Sequence, residues 1–164
     1  MQPYEQVKYF QNMNLFILKL KGALRFTCAQ YFDKALNNID LTKSEDIIFD
    51  LTESKFIDST IMGGMAKFIL QESTQQKLKN KPTIVYKTDD IKLMFDKIGF
   101  DKFFNFTNED QRLNINQNEL ISFTEIKPDV KKLKESIRIA HQILSELHPD
   151  DPAYKEVVQA LKDK

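Results

Sequence analysis

Phe49-Asp50-Leu51-Thr52-Glu53-Ser54-Lys55-Phe56-Ile57-Asp58-Ser59-Thr60-Ile61-Met62-Gly63-Gly64 decides how this chain is read. With Ile47 and Ile48, its start is short, apolar and β-rich, which suits a central strand buried on both faces. A short connection follows, then an aspartate and a serine where a helix begins. Asp58 or Ser59 can cap that helix, with Thr60 in its first turn. Ile61, Met62, Met65, Ala66, Phe68, Ile69 and Leu70 form one broad helical stripe, predicting a helix to about Lys79. Gly63-Gly64 lacks the surroundings of a phosphate loop, and close packing of the helix on a sheet explains it better.

The flanks alternate strand and helix. Leu15–Lys21 reads as a strand entering a core and ends at Gly22. Thr27-Cys28-Ala29-Gln30 has capping-box spacing, and Ala29, Phe32, Leu36 and Ile39 follow at helical intervals, predicting a helix over 28–39. Asn80-Lys81-Pro82 breaks the central helix, and Thr83-Ile84-Val85-Tyr86 is the next strand. Asp89 or Asp90 is placed to cap a third helix with Ile91, Met94, Phe95 and Ile98 on its buried face, and Gly99 stands where a C-terminal glycine belongs. Phe103, Phe104 and Phe106 offer an edge strand. This order predicts an α/β fold, a mixed sheet covered by helices, over residues 1–106. Residues 107–127 start polar and rich in Asn and Gln and read as a linker or edge segment, with Leu120–Phe123 as a possible strand.

Residues 128–164 read as a helical extension. Val130, Leu133, Ile137, Ala140, Leu144 and Leu147 follow heptad spacing, with Pro128 suited to the first turn. His148-Pro149-Asp150-Asp151-Pro152 ends this helix. Tyr154, Val157, Val158 and Leu161 give a second one an apolar face, making a C-terminal α-helical hairpin. The hairpin either packs on the preceding domain or supplies a seam for a homodimer or partner.

Composition narrows the function classes. Lys+Arg and Asp+Glu are 24 each among 164 residues, so net charge draws the chain to neither nucleic acid nor anionic membrane. Hydrophobic residues are 41% and charged ones 29%, a soluble globular balance. No apolar run nears the roughly 20 residues of a spanning helix. The start, MQPYEQVKYF, lacks the pattern of a secretory signal, so the cytoplasm is the expected compartment. Cys28 is the sole cysteine, which excludes an intrachain disulfide and a cysteine metal cluster; a small core-facing residue is its expected role. His141 and His148 read as helix-surface histidines, with no metal spacing. Ser59 lacks a nucleophile elbow, and an enzymatic role for it would require a histidine or lysine base brought close in space. The chain is therefore expected not to be an enzyme, and to need neither cofactor nor metal.

Taken together, Phe49-Asp50-Leu51, Phe56-Ile57-Asp58-Ser59, the apolar helix, Thr83-Ile84-Val85 and Phe95-Asp96-Lys97-Ile98-Gly99-Phe100-Asp101-Lys102-Phe103-Phe104 resemble a STAS domain, the domain of anti-sigma factor antagonists. Leu20–Phe26 is similar to the family's second strand and following turn, and the resemblance covers about residues 8–106. It implies a bacterial regulatory phosphoprotein of partner switching in transcription. An anti-sigma factor that is itself a serine kinase would phosphorylate Ser59, the residue after Asp58, using ATP, and a PP2C-type phosphatase would reverse it. Thr60 is the secondary acceptor. Asp58, Ser59, Thr60, Ile61 and Met62 are the implied partner contacts, together with the loop before Asp58 and the exposed edge of the 61–79 helix. Many antagonists carry glycine after the serine pair. Ile61 stands there instead, which is similar to stressosome scaffolds. The alternative is a non-switching STAS scaffold subunit of a stressosome-like or lipid-transport complex.

Overall fold

Apolar side chains alternate between two faces of each central strand, and both faces are covered. A computed structural model of the chain describes residues 1–151. Strands β1 (Val7–Gln11), β2 (Leu15–Leu24), β3 (Asp46–Ile57), β4 (Thr83–Tyr86), β5 (Asn105–Thr107) and β6 (Ile121–Ser122) form one sheet in the order β5-β4-β3-β2-β1-β6. β2, β3, β4 and β5 pair in parallel, while β1 pairs antiparallel with β2 and β6, so the sheet is mixed. The helices are α1 (Ala29–Asn37), α2 (Ser59–Leu70), α3 (Glu72–Lys77), α4 (Asp89–Asp96) and α5 (Val130–Leu147).

Strand periodicity sorts the core. Phe16, Leu18 and Leu20, with Phe49, Leu51 and Ile84, face the main core with the helices. Phe49 makes edge contacts with Phe68 of α2 and with Phe104, fixing α2 and the 100–104 turn on the same strand. Ile17, Ile48, Val85 and Phe10 face the other way, and Leu113, Ile115 and Leu120 pack against them. The Asn- and Gln-rich segment thus covers the second sheet face before supplying β6. Arg112, held by a forked contact with Asp110 two residues before it, ties the segment to β3 through an ion pair with Asp46.

Several helix ends differ from the sequence expectation. The apolar stripe of α2 runs out at Leu70, and Gln71 is extended there, so the helix breaks and α3 restarts instead of continuing to Lys79. Thr27 does not cap α1. It lies inside a 3-10 turn, Phe26–Cys28, that leads into the helix. Thr88, not Asp89 or Asp90, caps α4 through Ile91 N–H; the two aspartates occupy its first turn, where the helix dipole favours them. Gly99 adopts φ 72°, the left-handed conformation that a side chain would strain. Asp129 caps α5, which leaves Pro128 just outside it.

The heptad seam of α5 is used within the chain. Ala140 and Leu144 are buried and α5 packs on α2. Gly63 accordingly faces α5, and Gly64 faces Phe32 of α1, so the glycine pair serves helix–helix approach, not helix–sheet approach. The second helix of the expected hairpin lies outside the described residues. Among the described residues, no helix is long and apolar enough to cross a membrane.

Candidate functional site

Asp58 closes the end of β3 and opens α2. Its N–H donates to Leu24 O at 2.8 Å, tying it to the end of β2. Its carboxylate then accepts two backbone bonds: Ile61 N–H at 3.1 Å on Oδ1 and Phe26 N–H at 2.6 Å on Oδ2. Of the two cap candidates, Asp58 takes the role. It also pins the 25–28 turn to the helix start, so its side chain is fully engaged in holding the site's shape.

Ser59 is the first residue of α2 and half-buried, with its hydroxyl freed from capping. Ser59 Oγ lies 2.8 Å from His141 Nε2 on α5. His141 Nδ1 lies 2.8 Å from Ile137 O. A carbonyl oxygen only accepts, so Nδ1 carries the proton, and in the neutral ring the Nε2 lone pair faces the serine. Ser59 then donates to His141. The structure thus corrects the reading of His141 as a surface histidine: only 7% of it is exposed, because α5 lies down on α2. His148 is the C-cap residue of α5, two turns away, and does not join it.

The other expected contact residues are placed differently from Ser59. Thr60, Ile61 and Met62 are 6%, 1% and 6% exposed, and the α2 edge expected to be free is covered by α5. What remains open near Asp58 is an aromatic rim. Phe26 and Phe56 are exposed, and the Arg25 guanidinium sits 4.7 Å above the Phe56 ring. Cys28, beside this turn, is fully buried, and burial together with the Asp58 charge pushes its thiol up to about 12.

Three further contacts hold α5 and its leader to α1. Ser136 Oγ donates to Asp33 Oδ2 at 3.3 Å, Ile126 N–H donates to Tyr31 Oη at 2.9 Å, and Lys34 lies over the Phe123 ring. Burial raises the Asp33 carboxyl above its ordinary range, opposed by Lys67 and by Ser136. A cleft of about 680 Å³ runs between α1 and α5, lined by Tyr31, Lys34, Lys67 and Lys132 among others; neither Ser59 nor His141 lines it.

Chemically, the serine–histidine pair can move a proton, which is the first requirement of a nucleophile. Asp58 is not its third member, since both its oxygens serve backbone N–H groups. A neutral carbonyl orients the imidazole from Nδ1. Among the described residues no group of three or more His, Cys, Asp or Glu is placed to hold a metal ion. The sequence signal for His141 was indirect: the small pair Gly63-Gly64 and Ala140 on the seam mark a close helix crossing, which brings the next residue on α5 over the start of α2.

The family model for the STAS domain matches residues 6–112. A solved anti-sigma factor antagonist from Mycobacterium paratuberculosis superposes with a TM-score of 0.51 at 15% identity, covering 63% of this chain and 85% of that one. No curated protein matches the sequence.

Proposed function

The chain belongs to the STAS family, and from that premise we propose that it is a partner-switching antagonist with Ser59 as its phosphoacceptor. Unphosphorylated, it binds an anti-sigma factor of the serine-kinase type and frees the output that the factor restrains. Phosphorylated by that kinase, it releases it, and a PP2C-type phosphatase resets it. Catalysis lies with the kinase and phosphatase, and this chain is the substrate and binder.

The observation that carries this reading is the division of labour between Asp58 and Ser59. Asp58 caps α2 and fixes the turn, while Ser59 occupies the first helical position, half-buried, with its hydroxyl left out of the cap and turned to His141. A phosphoryl group there brings about −1.5 to −2 charges. The helix N-terminus tolerates them in the free protein. In an interface the same dianion must be desolvated beside the Asp58 carboxylate, which is costly. A difference of about 3 kcal/mol lowers affinity more than a hundredfold. The exposed Phe26–Arg25–Phe56 rim adds contact area next to it.

The test is capture by the full chain in extracts of its native cell. Ser59→Ala should retain a serine-kinase-type protein constitutively, and Ser59→Asp should lose it. Equal retention by both variants and the parent would contradict the switch. The same retention within a large assembly of homologous chains would instead favour the scaffold reading.

The Ser59–His141 contact favours one second reading, in which Ser59 is an activated nucleophile. A fluorophosphonate probe distinguishes the two. The switch reading expects no labelling of Ser59, and stoichiometric labelling abolished by His141→Ala would establish the nucleophile.

A further inference from the structure

Helix α5 lies outside the matched STAS region, yet it rests on the start of α2. At the crossing, a Cβ on Gly63 would fall 2.4 Å from Ala140 Cβ and 2.6 Å from Ala140 O, so the α2 backbone at Gly63 meets α5 with only the Ala140 methyl between them. Next to this point His141 takes the Ser59 hydroxyl, and one turn on Leu144 is 0% exposed. The small residue, the polar group and the apolar anchor occur at successive positions of one helix face. That is the composition of a helix fitted to a helix-shaped site.

The chemistry at Ser59 makes this docking conditional. Oγ and Nε2 are already in hydrogen-bond contact, so a phosphoryl group cannot enter between them without parting them. If Ser59 instead turns the phosphate to solvent, Oγ leaves His141 and the contact between Ser59 and Nε2 is lost. A kinase also has to reach Oγ, and α5 stands over one side of it.

We propose that α5 is an intramolecular occupant of the face that a protein partner takes, and that α5 docking and phosphate on Ser59 exclude each other through His141. This rests on Ser59 being the phosphoacceptor. The partner element that replaces α5 is an amphipathic helix carrying a small residue against Gly63, where Ala140 now sits. The closed form then lowers apparent partner affinity by the fraction of chains in which α5 is open.

The experiment needs neither kinase nor partner, so its failure is separable from failure of the capture test above. Phosphoserine is placed at position 59 of the full chain during synthesis, and amide hydrogen exchange is followed along α5. Exchange across 130–147 should accelerate at least tenfold, with β3 unchanged. His141→Ala in the unmodified chain should act in the same direction and by about tenfold or more, since it removes the bonds to Ser59 and to Ile137 O together. Unchanged protection of α5 with phosphoserine present would overturn the proposal. So would acceleration by phosphoserine with none in the His141 variant, which would remove His141 from the coupling. Tighter protection of α5 in the phosphorylated chain would also overturn it, by making His141 a phosphate holder.

Discussion

Gly63 on α2 and Ala140 on α5 occupy the same point of the helix crossing, where a Cβ added to Gly63 would lie 2.5 Å from the Ala140 Cα. Gly63→Ala improves intrinsic helix propensity by up to about 1 kcal/mol. Overpacking costs typically about 1–3 kcal/mol, and here the obstacle is backbone, which cannot step aside like a flexible side chain. The overpacking term wins. Gly63→Ala should lift α5 while leaving the sheet folded, seen as faster amide exchange in 130–147 and unchanged exchange in β3 and β4.

Asp58 stabilises the site through two backbone N–H groups at once. Loss of the helix cap alone costs about 0.5–2 kcal/mol, and Phe26 N–H loses its acceptor as well. Asp58→Ala should lower unfolding free energy by about 2–3 kcal/mol, with Asp58→Asn costing less because one oxygen still caps. Denaturant titration with an unchanged slope checks this.

Asp110 gives a pH dependence. Its hydrogen bond from Arg112 holds the carboxyl below the ordinary carboxylate value of 3.8. The folded value lies below the unfolded one, so the contribution is fully present above about pH 4 and is lost as pH falls through the folded value. Acidification should therefore loosen the 111–120 cover from the second sheet face. Asp110→Asn should flatten the loss in exchange protection there as pH falls below the ordinary carboxylate value.

Cys28 should be inert in the folded chain. Its thiol is buried and pushed up to about 12 from 9.0, so its thiolate fraction is roughly a thousandth of that in the unfolded chain. Alkylation by iodoacetamide at pH 8 should proceed only as fast as the chain opens. Rapid labelling of the native protein would contradict this.

The inner strands were legible because their residues are constrained locally, whereas β1 was not read and Phe103 and Phe104 precede the edge strand β5 instead of forming it. Ile47–Leu51 is apolar on both faces and becomes the central strand; Gly99 needs positive φ and ends a helix; Thr83–Tyr86 is the next strand as expected. The helix caps were read less well, because the chain enters α1 through a 3-10 turn that takes up Thr27, and because Thr88 caps α4 one residue before the two aspartates named for that role. The second-face cover was hidden because Leu113, Ile115 and Leu120 are spaced without helix or strand periodicity. At the site, Asp58 and Ser59 could be named from sequence, since they are adjacent and follow the strand. His141 was missed because it stands far away in sequence, and neither the burial of Thr60, Ile61 and Met62 under α5 nor its own burial follows from local pattern. Both depend on where α5 lands.

The central claim is that Ser59 carries a reversible phosphate. The most direct measurement is a mass-spectrometric phosphosite map of the protein purified from its native cell under several growth conditions. Phosphate on Ser59, in a proportion that changes between conditions, is the expected result. A protein unmodified at Ser59 and Thr60 in every condition would contradict the account and leave the scaffold reading in its place.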